Sequence, residues 1–98
     1  MSYTKELVPS WHTTEDGNKY EVRPLSALEY LKVMPHIKNK HMTGEGVELT
    51  LRDGVLDWKN PDKEFTKSSY KEFFLADQID LAQHIMTITE ASEEKIKN

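Results

Sequence analysis

The chain has 98 residues, no cysteine and a formal net charge of −4. That length suits a single domain 1–98 of radius roughly 13 Å, and the lack of cysteine excludes disulfide frameworks, thiolate nucleophiles and thiolate metal sites. Leu, Ile, Val and Phe make up 22 of the 98 residues, just above the roughly 20% below which disorder is expected.

A core this thin leaves little stability to spare, and self-association is one way to supply more. Charges of both signs are interspersed, and the nearest approach to a basic cluster is "HIKNKH". Nucleic-acid binders carry a basic patch or stripe, so no nucleic-acid partner is expected. No run nears the ~18 apolar residues of a membrane span, and "MSYTKELVPSW" lacks the charged-then-apolar plan of a signal peptide. No membrane partner is expected, and the default location is cytoplasmic.

Residues 7–25 are predicted to form a β-hairpin. Two short runs flank "EDGN", whose Asp16-Gly17-Asn18 supplies the positive φ values of a tight turn. Tyr20, Val22 and Pro24 alternate with Glu21 and Arg23, the period-2 sign of a half-buried strand. Pro9 places the first strand at an edge.

Residues 26–90 are predicted to be helical, giving an α+β fold, mainly helical, with an N-terminal hairpin and three to four short helices near 27–37, 45–56, 66–76 and 78–90. Ser26 and Glu29 form a capping box, in which each side chain takes up an amide left free at the helix start. Leu28, Leu31 and Met34 then mark an apolar face, and Pro35 bends or ends the element. "KNKHMTGEG" reads as a loop.

Residues 47–59 carry two patterns. Val47, Leu49 and Leu51 alternate as in a hairpin, whereas Val47, Leu51, Val55 and Trp58 share a helical face ending near Gly54. Periodicity does not decide between them. Beyond, Thr66 is placed to cap a helix with Phe65 and Tyr70 as a hydrophobic staple, and Ser69 with Glu72 is a second capping box. A break is expected near "LADQ", with Asp77 capping a last helix whose stripe is Ile79, Ala82, Ile85 and Met86, widened by Ile88. Residues 91–98 read as a charged tail. The expected core is Leu28, Leu31, Val55, Phe73, Phe74, Leu81 and Ile85.

Few residues here announce chemistry. His36 and His41 are five apart across a Pro-bearing stretch, not the i, i+4 spacing that sets two ligands on one helix face. His84 reads as a surface or boundary residue. Asp53, Asp57 and Asp62 do not match a calcium loop, and neither a Gly-rich phosphate cradle nor a nucleophile elbow is present. No enzymatic activity, cofactor or metal is expected.

Trp58 stands in a polar, turn-rich run. With Phe65 it can pack back on the helices and pin the "NPDKE" loop, since a large ring buries enough area to hold a weakly apolar segment. The sharper reading puts Trp58, Phe65, Tyr70 and Phe74 in a partner-binding patch, because aromatics are favoured at interface centres.

The order of these pieces resembles a known family. "KYEVRPLSALEYLKVM" is similar to an "RPL-T/S-x-x-E" strand-to-helix opening, and "LRDGVLDWKN" resembles a "G-hydrophobic-x-x-W" segment closing a helix. "EFTKSSYKEFFLADQIDLAQHIMTI" looks like a capped helix, a break and a last amphipathic helix, and "ASEEKIKN" resembles an acidic, Asn-ending tail. Together they cover residues 19–98 and resemble the tail assembly chaperones of long-tailed bacteriophages and prophages.

The resemblance implies a helix in the middle segment and a non-enzymatic role in the bacterial cytoplasm. Such proteins bind the tape-measure protein, help recruit tail-tube subunits and leave before the tail matures. They are often made in two lengths by ribosomal frameshifting. Structural virion components of the tail tube or head–tail joining region share much of this look and are the alternative. The well-formed "EDGN" hairpin and Pro35 depart from the family pattern in the N-terminal third.

Overall fold

The computed structural model describes residues 4–97. It begins with the predicted hairpin: β1 (Ser10–Thr13) pairs antiparallel with β2 (Lys19–Val22), joining Trp11 to Glu21 and Thr13 to Lys19. Gly17 turns the chain at φ +88°, and the Thr14 and Gly17 amides donate to the Asn18 and Thr14 carbonyls. Tyr20, Val22 and Pro24 are buried, as their alternation requires, and β1 lies at an edge, as Pro9 requires.

Helix α1 (Ala27–Val33) opens on the predicted capping box, with the Glu29 amide donating to Ser26 Oγ and the Ser26 amide to Glu29 Oε1. Pro35 sits in a 3₁₀ turn, Met34–His36, so the helix predicted to 37 stops at Val33. The expected loop then holds a small second hairpin, β3 (Ile37–Lys38) and β4 (His41–Met42). Asn39 and Lys40 both take positive φ, 52° and 66°, as a two-residue type I′ connection demands.

Over 47–59 the helical pattern holds as far as Gly54, and the alternating Val47, Leu49 and Leu51 lie in that helix rather than in a hairpin. Helix α2 (Gly44–Gly54) is capped by Thr43, whose Oγ1 accepts the Gly46 amide. It gives way to β5 (Val55–Trp58), so the predicted helix 45–56 ends early and Trp58 lies on a strand. β5 joins β2 to complete a sheet of order β1-β2-β5, with a bulge between its Tyr20–Trp58 and Val22–Val55 pairs. Gly54 ends α2 for a packing reason: a Cβ there would meet Ile85 Cδ1 at 2.8 Å. Its bare backbone lets α2 rest on the last helix.

No α-helix forms over 66–74, where the predicted helix 66–76 was to begin. The Thr66 amide donates to Ser69 Oγ and the Ser69 amide to the Thr66 carbonyl, closing a local turn that leads into a 3₁₀ turn, Ser69–Glu72. Ser69 Oγ accepts the Thr66 amide, so Ser69 serves this turn and the second predicted capping box, Ser69 with Glu72, does not open an α-helix. Phe73 is extended, and α3 (Leu75–Lys97) starts just after it. The break therefore falls at 73–74 rather than inside "LADQ", and the predicted helix 78–90 is part of a longer one. The segment read as a charged tail continues α3; Asn98 and Met1–Tyr3 lie outside the described residues.

Among the described residues the fold is thus α+β, with three α-helices and two small antiparallel sheets. Its mainly helical character is met only roughly, because β5 occupies the centre of the chain. The radius of gyration is 13.4 Å. Tyr20, Val22, Leu25, Leu51, Val55, Phe73, Leu81 and Ile85 form one buried cluster between the larger sheet and α2 and α3.

Three predicted core residues are instead exposed: Leu28, Leu31 and Phe74, at 73%, 58% and 72%. Ile79 of the predicted α3 stripe is exposed as well. In α1 the rotation is set by polar capture. Arg23 donates two hydrogen bonds of 2.9 Å to the Glu29 carboxylate, which turns the Glu29–Val33 side inward and Leu28 and Leu31 outward. For Phe74 the extended backbone decides, because neighbours in extended chain point to opposite sides and Phe73 has taken the inner one.

Polar side chains tie the hairpin to α3. Tyr20 donates its hydroxyl to Asp77 Oδ2 at 2.6 Å, and Asn18 Nδ2 donates to the same oxygen at 2.8 Å. Asp77, expected as a cap, is buried in the first turn of α3. Burial, then the Asp77 bond, pushes the Tyr20 phenol above its usual range. Thr89 Oγ1 accepts the Leu25 amide while donating to the Ile85 carbonyl.

Candidate partner-binding site

Trp58 gains its place from β5, which pairs it with Tyr20 of β2. Its ring lies 5.6 Å from Phe73 and 5.9 Å, edge-on, from Phe65. Phe73 in turn packs 4.7 Å from Tyr20, so four aromatic rings run from the sheet to the loop. The indole Nε1–H donates to the Lys63 carbonyl at 2.9 Å and closes the loop that contains "NPDKE". Within it, Asn60 Oδ1 accepts the Asp62 amide across Pro61. Trp58 does pin this loop.

The four patch residues do not form one surface. Trp58 and Phe74 line a hollow of about 320 Å³ with Tyr20, Phe73, Lys19 and Lys59. Trp58 and Phe65 border a second, of about 540 Å³, beneath the loop. Tyr70 is buried and faces a third, of about 380 Å³, beside Val47, Leu75 and Ile79. The extended backbone at Phe73 separates Tyr70 from Phe74, which a continuous helix would have set on one side.

The hollow at Trp58 and Phe74 is the best equipped of these. It has an aromatic floor and an exposed phenyl at its rim, with lysines around it. Lys63 is ion-paired with Glu72, and Lys59 Nζ sits 4.7 Å over the exposed Trp11 ring. Such a cleft suits an apolar or aromatic side chain flanked by an acidic group. Lys19, Lys59 and Phe73 were absent from the sequence-based patch. Only the adjacent phenylalanines, one of which must turn outward in extended chain, signalled them.

A second polar cluster joins β1 to α3. His12 and His84 stack at 3.9 Å with planes 13° apart, and His12 Nε2 lies 2.8 Å from Asp80 Oδ1. The other Asp80 oxygen accepts the Glu15 amide. Burial opposes ionisation of Asp80, but the His12 and Glu15 bonds outweigh it and lower its pKa. His84 is lowered from 6.5, chiefly by burial and then by His12, with Asp80 opposing. His36 is 3.4 Å from Glu45. Among the described residues, no group of three or more His, Asp or Glu side chains is placed to hold a metal ion.

The His84 shift has a signed consequence. Above pH 6.5 the neutral ring contributes its full stability. As pH falls below that value, the unfolded chain takes up a proton that the folded one resists, and stability declines until the folded pKa is passed. The unfolding midpoint should therefore drop as pH is lowered through 6.5, and less steeply in His84→Gln. Equal slopes would remove this group from the account. Glu29, lowered to about 2 first by its Arg23 bond, adds a further loss only below its ordinary 4.5.

No protein-family model, curated protein or solved structure matches this chain. Among the described residues, no helix is long and apolar enough to cross a membrane.

Proposed function

We propose that this protein is a non-enzymatic tail assembly chaperone of a long-tailed bacteriophage or prophage, acting in the bacterial cytoplasm. It binds the tape-measure protein and through it helps recruit tail-tube subunits. The ordered motifs over residues 19–98 support the family. The single structural observation that supports a binding role is Phe74, a phenyl ring 72% exposed beside the half-buried Trp58 in a hollow bordered by Lys19, Lys59 and the Lys63–Glu72 pair. Large aromatic side chains at the centre of an interface often carry much of its binding energy.

In this reading an amphipathic helix of the client lays an apolar side chain between Trp58 and Phe74. Acidic residues of the client meet Lys19 and Lys59. The loop pinned by Trp58 forms the wall of the cleft.

The test is co-expression with the tape-measure protein of the same phage or prophage genome. The expected outcome is a complex that co-purifies, with this chain absent from mature particles by mass spectrometry. Presence in mature particles would replace the chaperone by a structural component of the tail tube or head–tail joining region.

A further inference from the structure

We propose that α1 and the groove beside it form a two-fold interface between two copies of this chain. Leu28 and Leu31 stand outward on α1 at 73% and 58% exposure, and Met34 follows at 47%. This ridge borders a groove of about 740 Å³ whose apolar wall is Tyr30, Met34, Met42, Val47, Ala82 and Met86 and whose polar side carries Lys40, His41, Gln83, Thr87 and Glu90. The outward facing is built in, because the Glu29 carboxylate is held by Arg23 and the Ser26 amide on the opposite side of the helix.

An apolar ridge next to a groove with one apolar wall on the same chain can be self-complementary, as a two-fold contact requires: the ridge of each copy fills the groove of the other. Methionines in the wall adapt to whatever side chains enter. Leu28, Leu31, Met34 and Ile79, exposed as they are, each offer on the order of 100 Å² of apolar area. Together they supply about half of the roughly 800 Å² per partner of a stable interface, and the groove lining and a polar rim supply the rest.

The bordering charges fit a second copy too. Lys32 is exposed on α1, and Glu90 lines the α3 side of the groove. In the proposed dimer Lys32 of each copy meets Glu90 of the other across the groove, whose lining also carries Lys40 and His41. No residue lining this groove lines the Trp58 hollow, so the dimer leaves the proposed client site open.

The experiment is sedimentation equilibrium of the full chain over a roughly hundredfold concentration range. The expected result is a monomer–dimer equilibrium between 11.4 kDa and twice that mass. Leu31→Asp, at an exposed position, should abolish the dimer while leaving the circular dichroism spectrum unchanged. Lys32→Glu and Glu90→Lys should each weaken it about tenfold, and the pair together should restore it. A monomer at every concentration would overturn the proposal. So would a dimer indifferent to Leu31→Asp, or charge reversals that fail to rescue one another.

Discussion

Replacing Leu81 by alanine is expected to lower stability by about 2–5 kcal/mol, the range for a buried leucine whose site cannot collapse. Leu81 is fully buried in α3, within the cluster that includes Leu51, Val55 and Ile85. Gly54 lets α2 approach Ile85 so closely that neighbouring side chains have little freedom to fill a void. Against a core this small, such a loss takes a large share of the total. Leu31→Ala is the control, because Leu31 is 58% exposed and should change stability by about 0.5 kcal/mol or less in the monomer. Urea unfolding of both variants checks the pair. Equal losses would mean that α1 is rotated from its position here.

Asp77→Ala should produce the second large loss. The substitution leaves the Tyr20 hydroxyl buried without its 2.6 Å acceptor and removes the Asn18 bond as well. A buried polar group stripped of its partner costs about 1–3 kcal/mol, and loss of a carboxylate from the first turn of α3 adds about 0.3–1 kcal/mol. Tyr20→Phe should cost less, because Asn18 still donates to Asp77. In the double variant the two losses should not add, since the orphaned hydroxyl is gone. A double-mutant cycle by thermal unfolding checks this, and additive losses would place the two side chains in separate networks.

What was legible in the chain was local. The "EDGN" turn, the alternation through Tyr20, Val22 and Pro24, and the Ser26–Glu29 capping box depend on neighbours a few residues apart, and all three are present. The Leu28–Leu31–Met34 stripe misled because a seven-residue helix is oriented by whichever contacts grip it. Here those are the Arg23–Glu29 pair and Val33. β5 was hidden because its strand character comes from pairing with β2, more than thirty positions earlier. The stretch before α3 has cap-like serines and threonines that bond to one another instead of opening an α-helix.

The candidate site divides along the same line. That Trp58 pins its loop could be read from its setting, and Phe65 does join it. That Phe74 shares the Trp58 hollow while Tyr70 turns to another depends on a single extended residue, Phe73.

Phe74→Ser tests the binding account most directly, since Phe74 contributes an exposed ring to the hollow and little to the core. The measurement is titration calorimetry of the tape-measure protein into wild type and Phe74→Ser, with unfolding midpoints taken alongside. The wild type is expected to bind and the variant to lose about tenfold or more, as for an interface hot spot, with the two midpoints equal. Equal affinities, or no binding by the wild type, would contradict it.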